Sequence, residues 1–240
     1  LAAAGIVEDT AASATEHAIF AAVWSAMTRK PGDGAGVDLE ILGELLVGEL
    51  EDTLAEAQRR FQGYTNDPSS LDPDMRAVVF EMAARRGDRQ TYDLMWDLEK
   101  AADLHEEKIR FLNALANFEQ GDLLQETLDR TLGVEVRSQD TIRVIVTVAS
   151  NRHGRNLAWE FVKDNWDKMN EVFPSNSIVR MLSGITSLSK GDQADDVIAF
   201  FEDHEVPQGQ LTLQQTLEKV RVNVALRERE SERFAESLVR

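Results

Sequence analysis

Asn151-Arg-His-Gly-Arg-Asn-Leu-Ala-Trp159-Glu-Phe-Val-Lys-Asp-Asn-Trp166-Asp-Lys-Met-Asn-Glu-Val-Phe173 opens on a polar turn around Gly154 and continues as one amphipathic run. Trp159, Val162, Trp166, Met169 and Phe173 recur at alternating spacings of three and four, which places them on one face of a helix. Glu160, Lys163, Asp164, Asp167, Lys168 and Glu171 fall on the other faces. Each tryptophan commits roughly 150–250 Å² of mostly apolar surface. A helix that carries two of them needs other helices to pack against.

Working outward, the same pattern repeats. Met75, Val78, Val79 and Met82 are expected to form one face, closed by Arg85-Arg86-Gly87-Asp88. Tyr92, Met95, Trp96 and Leu98 form the next, and Ile109, Leu112 and Ala116 the one after that. Gly121-Asp122 separates these from Leu124, Leu128 and Leu132. Ile178, Met181, Leu182, Ile185 and Leu188 give another stripe, followed by Val197, Phe200 and Phe201, and then by Leu213, Leu217, Val220 and Val224. Earlier in the chain, Phe20, Val23, Trp24 and Met27 mark a helix, as do Leu50, Leu54, Ala57 and Phe61. Thr141–Ser150 conflicts with its surroundings, because five of its ten residues are Ile or Val and propensity favours a strand. A lone strand has no partner in a helical chain, so a buried helix starting near Ser138 is expected. Short helices joined by Gly, Asp or Asn clusters, at repeats of about 35–45 residues, read as an all-α fold, an α-solenoid of antiparallel helix hairpins. A single domain over residues 1–240 is expected.

The chain has 43 Asp and Glu against 26 Lys and Arg, a formal charge of −17. That balance disfavours nucleic acid as a partner, since a phosphate backbone is neutralised by Lys and Arg. With no cysteine, disulfides, thiolate metal sites and cysteine nucleophiles are excluded. This suits a reducing compartment, and a cytoplasmic location is expected. No apolar run approaches the ~20 residues of a membrane span. The start, Leu1-Ala-Ala-Ala-Gly5, lacks Met and falls in mid-pattern, as expected of a piece of a longer protein.

Catalytic motifs are missing. His105-Glu106-Glu107-Lys108 begins like a zinc-peptidase helix, but the fifth position is Ile109 instead of the second histidine. Glu106 and Glu107 are read as an exposed face or first turn. His17, His153 and His204 share no ligand-like spacing and are read as surface or capping residues. Pro31–Gly36 lacks the strand and the Lys-Ser/Thr of a phosphate loop. No catalytic residue and no metal ligand is assigned. Arg180 adjoins the apolar stripe of its helix, where a guanidinium can pair with a core carboxylate or line a cavity.

Several stretches run in an order that resembles a known family. They are Val136-Arg137-Ser138-Gln139-Asp140, Val148-Ala149-Ser150-Asn151, Gly154-Arg155, Leu157 to Val162, Asn165-Trp166 and Phe173. Together they resemble the C-terminal helical domain of the gluzincin zinc aminopeptidases, the aminopeptidase N type that includes the endoplasmic-reticulum aminopeptidases. Ala22-Val23-Trp24, Met75 to Phe80, Ile109 to Leu115 and Gly121 to Leu124 agree with it. The family's usual Asn-Pro is Asn151-Arg152 here. The signature residues are Asn151, Gly154, Trp159, Asn165 and Trp166, and their role is structural.

The resemblance implies a HEAT- or armadillo-like solenoid curled into a bowl. That bowl would cap an upstream catalytic domain and enclose a cavity for peptide substrates. The partners implied are that upstream domain of the same polypeptide and the peptide in the cavity. Zinc would belong upstream, with the His-Glu-x-x-His motif, so no cofactor is expected in this chain. In an acidic-residue-specific member of the family, the arginine matching Arg180 faces the cavity. The alternative reading is a free-standing α-solenoid adaptor that binds a protein on one face.

Overall fold

The structure is a computed structural model that describes the backbone of residues 39–238, except 134 and 207, and the side chains of residues 51–230 with the same exceptions. The helix expected around Phe20 to Met27 and the turn at Pro31–Gly36 lie outside the described residues. The chain divides into two compact units, Leu1–Thr53 and Leu54–Arg240. The packing below is that of the second.

Among the described residues there are eleven α-helices and one 3-10 turn at Pro68–Ser70. The α-helices are α1 (Leu39–Asn66), α2 (Arg76–Arg85), α3 (Arg89–Ala101), α4 (His105–Leu115), α5 (Gly121–Thr131), α6 (Ser138–Ser150), α7 (Arg155–Asp164), α8 (Trp166–Val172), α9 (Ser175–Ile185), α10 (Gly191–Asp203) and α11 (Gln210–Leu238). The all-α class expected from the periodicity is what the chain adopts.

Helix contacts form a ladder. One row runs α2, α4, α6, α9, α11, each member touching the next. Of the other helices, α3 touches α4, α5 and α7 touch α6, and α10 touches α11. Side chains complete the second row. Tyr92 on α3 meets Thr127 on α5, with Oη and Oγ1 3.1 Å apart. Trp159 on α7 stands edge-on to Phe200 on α10, with ring centroids 5.3 Å apart. The core lies between the rows. Phe80 stacks on Phe111 there at 4.7 Å, and Trp96, Leu115, Leu124, Ile145 and Met169 are fully or almost fully buried.

Local chemistry sets the boundaries. Asp88 starts α3 by accepting the Thr91 N–H at Oδ1, 2.9 Å. Gly87 precedes it because a Cβ there would lie 2.6 Å from the Phe118 ring. Thr141–Ser150 is helical throughout, and Ile142, Val144, Ile145 and Val148 all face the core. Thr141 Oγ1 donates to Thr131 O, 2.9 Å, tying α6 back to the end of α5. Burial on a helical period outweighs the β preference of these residues.

Two details differ from the periodic reading. The buried face of α2 is Val79, Phe80, Ala83 and Ala84, while Met75 and Val78 are exposed. The alanines allow close approach, and a pattern drawn from large residues alone misses them. The run from Trp159 to Phe173 also breaks. Asn165 adopts φ −114°, ψ 12° and ends α7, and its Nδ2 donates to Phe161 O at 2.9 Å. The chain restarts as the short α8.

Candidate functional site

Of the residues that carry the resemblance, Asn151, Gly154 and Asn165 sit at joints between helices, Trp166 opens α8 and Trp159 lies within α7. Asn151 ends α6, and its Nδ2 donates to Ala116 O (3.2 Å) and Phe118 O (2.7 Å), while its Oδ1 accepts the His153 N–H (3.0 Å). One amide side chain thus satisfies the carbonyls that leave α4 and holds the turn into α7. Gly154 follows. A Cβ there would stand 2.6 Å from Val148 Cγ1, 2.9 Å from Val148 O and 3.1 Å from Leu124 Cδ1. Its φ of −107° is open to any residue, so the requirement is for space.

Trp159 and Trp166 grip α10 from both sides of the break. Each stands edge-on to Phe200, at 5.3 and 5.4 Å, and Trp166 does the same to Phe201 at 5.5 Å. Two tryptophans seven positions apart thus address the same pair of phenylalanines across the break at Asn165. Trp159 Nε1 donates to Asp196 Oδ2 at 2.5 Å, and Lys163 Nζ donates to the same oxygen at 2.8 Å. The Lys163 hydrogen bond, with help from Trp159 and against partial burial, holds the Asp196 carboxyl below its usual range. Partial burial opposes charge on Lys163, but Asp196 and Glu160 outweigh it and raise the ammonium. His204 stacks on Phe200 at 3.9 Å and is part of this cluster, at the C-terminal cap of α10, in line with the surface or capping role expected of it.

A second polar centre went unread in the sequence. Glu107, expected on an exposed face or in a first turn, is in the first turn of α4 but is buried, and it pairs with Arg76 at 2.9 Å and with Arg110. Glu106 is exposed and takes the other branch of Arg110 at 2.8 Å. Glu99 is buried beside Lys108, whose Nζ donates to Glu99 O at 2.7 Å. Burial pushes the Glu99 carboxyl up, against the pull of Lys108. Carboxylates inside a charged run give no sequence signal of burial. The available hint was Leu112 and Phe111 placing Glu107 and Lys108 on a mostly apolar side.

His105 lies 3.6 Å from Asp140 and near Arg137 and Gln139. Among the described residues, no group of three His, Asp or Glu side chains could hold a metal ion. No described helix is long and apolar enough to cross a membrane.

Arg180 sits on α9, apart from the signature residues. Its neighbours Ile178, Met181 and Leu182 are buried, whereas Arg180 itself is exposed and has no ion pair among the described residues. The helix is seated against α6 by Gly184, where a Cβ would lie 3.0 Å from Ala149 Cβ and 3.6 Å from Val146 Cα. Ser187 Oγ adds a hydrogen bond to Ala149 O at 2.5 Å.

The comparisons agree with this architecture. Residues 7–222 match the family model described as the ERAP1-like C-terminal domain. Aminopeptidase M1-A of Oryza sativa subsp. japonica is 32% identical over 204 residues, covering 81% of this chain and 23% of the relative. Aminopeptidase M1 of Arabidopsis thaliana is 29% identical over 191 residues, 77% of this chain and 22% of the relative. Aminopeptidase N of Bos taurus is 28% identical over 177 residues, 70% of this chain and 18% of the relative. The chain therefore spans about a fifth of the length of these relatives. With a match over residues 7–222, the chain belongs to the ERAP1-like C-terminal domain family.

Proposed function

We propose that the chain is the non-catalytic C-terminal domain of a zinc-dependent aminopeptidase. In this reading it caps an active site held by an upstream domain of the same polypeptide and walls the cavity that receives peptide substrates. Zinc and the catalytic base belong to that upstream domain, and the parent works in the cytoplasm. The family match to domains of aminopeptidases supports the reading. The observation that carries it furthest is Arg180, an exposed guanidinium on a well-seated helix with no ion pair among the described residues. A guanidinium in that state can meet a substrate carboxylate without first breaking an internal pair.

The test is the coding sequence upstream of Leu1. A His-Glu-x-x-His motif in the same frame is expected. Its absence from the frame would leave this domain with no active site to cap.

A further inference from the structure

We propose that the cleft between the start of α7, the turn after α9 and the middle of α11 is a binding site for a phosphate group, free or as a monoester. Its donors are Arg155, Arg227, Ser189 and Asn223.

The cleft has a volume of about 590 Å³, and Arg155, Ser187, Ser189, Asn223, Arg227 and Glu230 are on its wall. Three separate elements bring them together. Arg155 opens α7, and its Nη1 donates to Ser187 O at 3.1 Å, which fixes the guanidinium beside the turn. Asn223 Nδ2 donates to Thr186 O at 3.0 Å, which holds α11 against the same turn. Arg227 lies one helical turn beyond Asn223, and its Nη1 donates to Ser189 Oγ at 3.2 Å. The two arginines are thus anchored to Ser187 and Ser189, on one short turn.

That anchoring leaves donors over. Arg155 Nε is buried and has no hydrogen-bond partner among the described residues. Such a group is rare, because burial withholds water and the charge makes the loss larger. A guanidinium carries five N–H donors, and the bond to Ser187 O uses one of those on Arg155. The Ser189 hydroxyl accepts from Arg227 and keeps its own proton to donate, and Asn223 Nδ2 has a second proton.

A carboxylate is planar and is met by a single fork, whereas a phosphate presents its oxygens in several directions. Donors that converge from α7, from the turn and from α11 suit the phosphate. Glu230 is the one carboxylate among the described residues of the wall, so two guanidinium groups leave the cleft cationic in a chain of charge −17. Glu228 is turned to the start of α10, where its Oε1 lies 3.4 Å from the place a Cβ on Gly191 would take.

The test is an NMR titration of the isotope-labelled 240-residue chain with inorganic phosphate, at about pH 7.5, where phosphate is mostly doubly charged. Ionic strength is held constant with chloride, because screening alone moves exposed signals. A saturable shift of the Arg155 Nε–H resonance is expected, together with the amides of Ser187, Ser189 and Arg227. Arg227→Gln should weaken binding about tenfold, through loss of a charge-assisted contact, and Arg155→Gln should weaken it further. Arg155→Gln also frees Ser187 O, so Arg227→Gln, at an exposed position, decides the question if that variant does not fold. Glu230→Gln should tighten binding, since it removes a like charge from the wall. Glycerol phosphate that matches inorganic phosphate assigns the site to a soluble ester. Sedimentation with vesicles of phosphatidic acid, lost in Arg227→Gln, assigns it to a lipid headgroup. Shifts that grow without saturating, that chloride reproduces, or that persist undiminished in Arg227→Gln would overturn the proposal.

Discussion

Trp159 and Asp196 are joined by an indole N–H donating to a carboxylate at 2.5 Å, and Lys163 completes the contact from 2.8 Å. The pair ties α7 to α10 at the edge of the aromatic cluster. Asp196→Ala removes a charge-assisted acceptor and leaves a largely buried indole N–H without its partner. Because Asp196 is 46% exposed, water recovers part of the loss. The expected cost is about 1 kcal/mol, read as a lower urea midpoint with an unchanged slope. The carboxyl is held below its usual range in the folded state. Its contribution is therefore fully present above the unfolded value, about 3.9, and is lost as pH falls through the folded value. Parent and variant should converge only below about pH 4. A gap that persists in strong acid would count against this assignment.

Glu99 should behave in the opposite sense. Its carboxyl is raised by burial, so folding favours the protonated form. Stability then falls as pH rises from the unfolded value, about 4.3, through the folded one. Glu99→Gln is expected to melt about 2 °C higher at pH 7, and to match the parent below the unfolded value. A clear loss of stability at pH 7 would mean that the Lys108 contact outweighs burial.

Gly154→Ala should destabilise strongly. The added methyl meets a side chain at 2.6 Å and a backbone carbonyl at 2.9 Å. Overpacking of this kind costs about 1–3 kcal/mol. Adding Val148→Ala relieves the side-chain clash and not the carbonyl, so thermal melts of the double variant should recover only part of the loss. Full recovery would show that the Val148 side chain was the whole obstacle.

Asn151→Ala leaves Ala116 O and Phe118 O without their donor, beside residues that are fully buried. The expected cost is about 2–3 kcal/mol. Amide exchange should quicken first at the end of α4 and the start of α7, and uniform quickening across the chain would contradict a local role.

The helical class was legible because the large apolar residues recur at three and four from Tyr92 to Val224. The Ile- and Val-rich run at 141–150 was readable only by asking what a strand would pair with. The break at Asn165 was hidden, because Trp159 and Trp166 keep helical spacing through it while the Asn165 backbone leaves the helical range. The seating of α9 on α6 was equally hidden, since it depends on the space that Gly184 leaves for Val146 and Ala149. Glu107 reads as solvated in any acidic run, and its burial is made tolerable by Arg110 together with Arg76, far away in sequence. Arg180 was singled out from its place beside an apolar stripe and from the family resemblance. The structure adds that it is exposed and has no ion pair among the described residues.

The most direct measurement is kcat/KM of the full-length protein, as the proposed aminopeptidase, against peptides of increasing length, before and after Arg180→Ala. If this domain walls the cavity, the variant handles single-residue chromogenic substrates normally and loses efficiency on longer peptides, most of all on those with acidic side chains. An Arg180→Ala enzyme that matches the parent at every length and charge would contradict it.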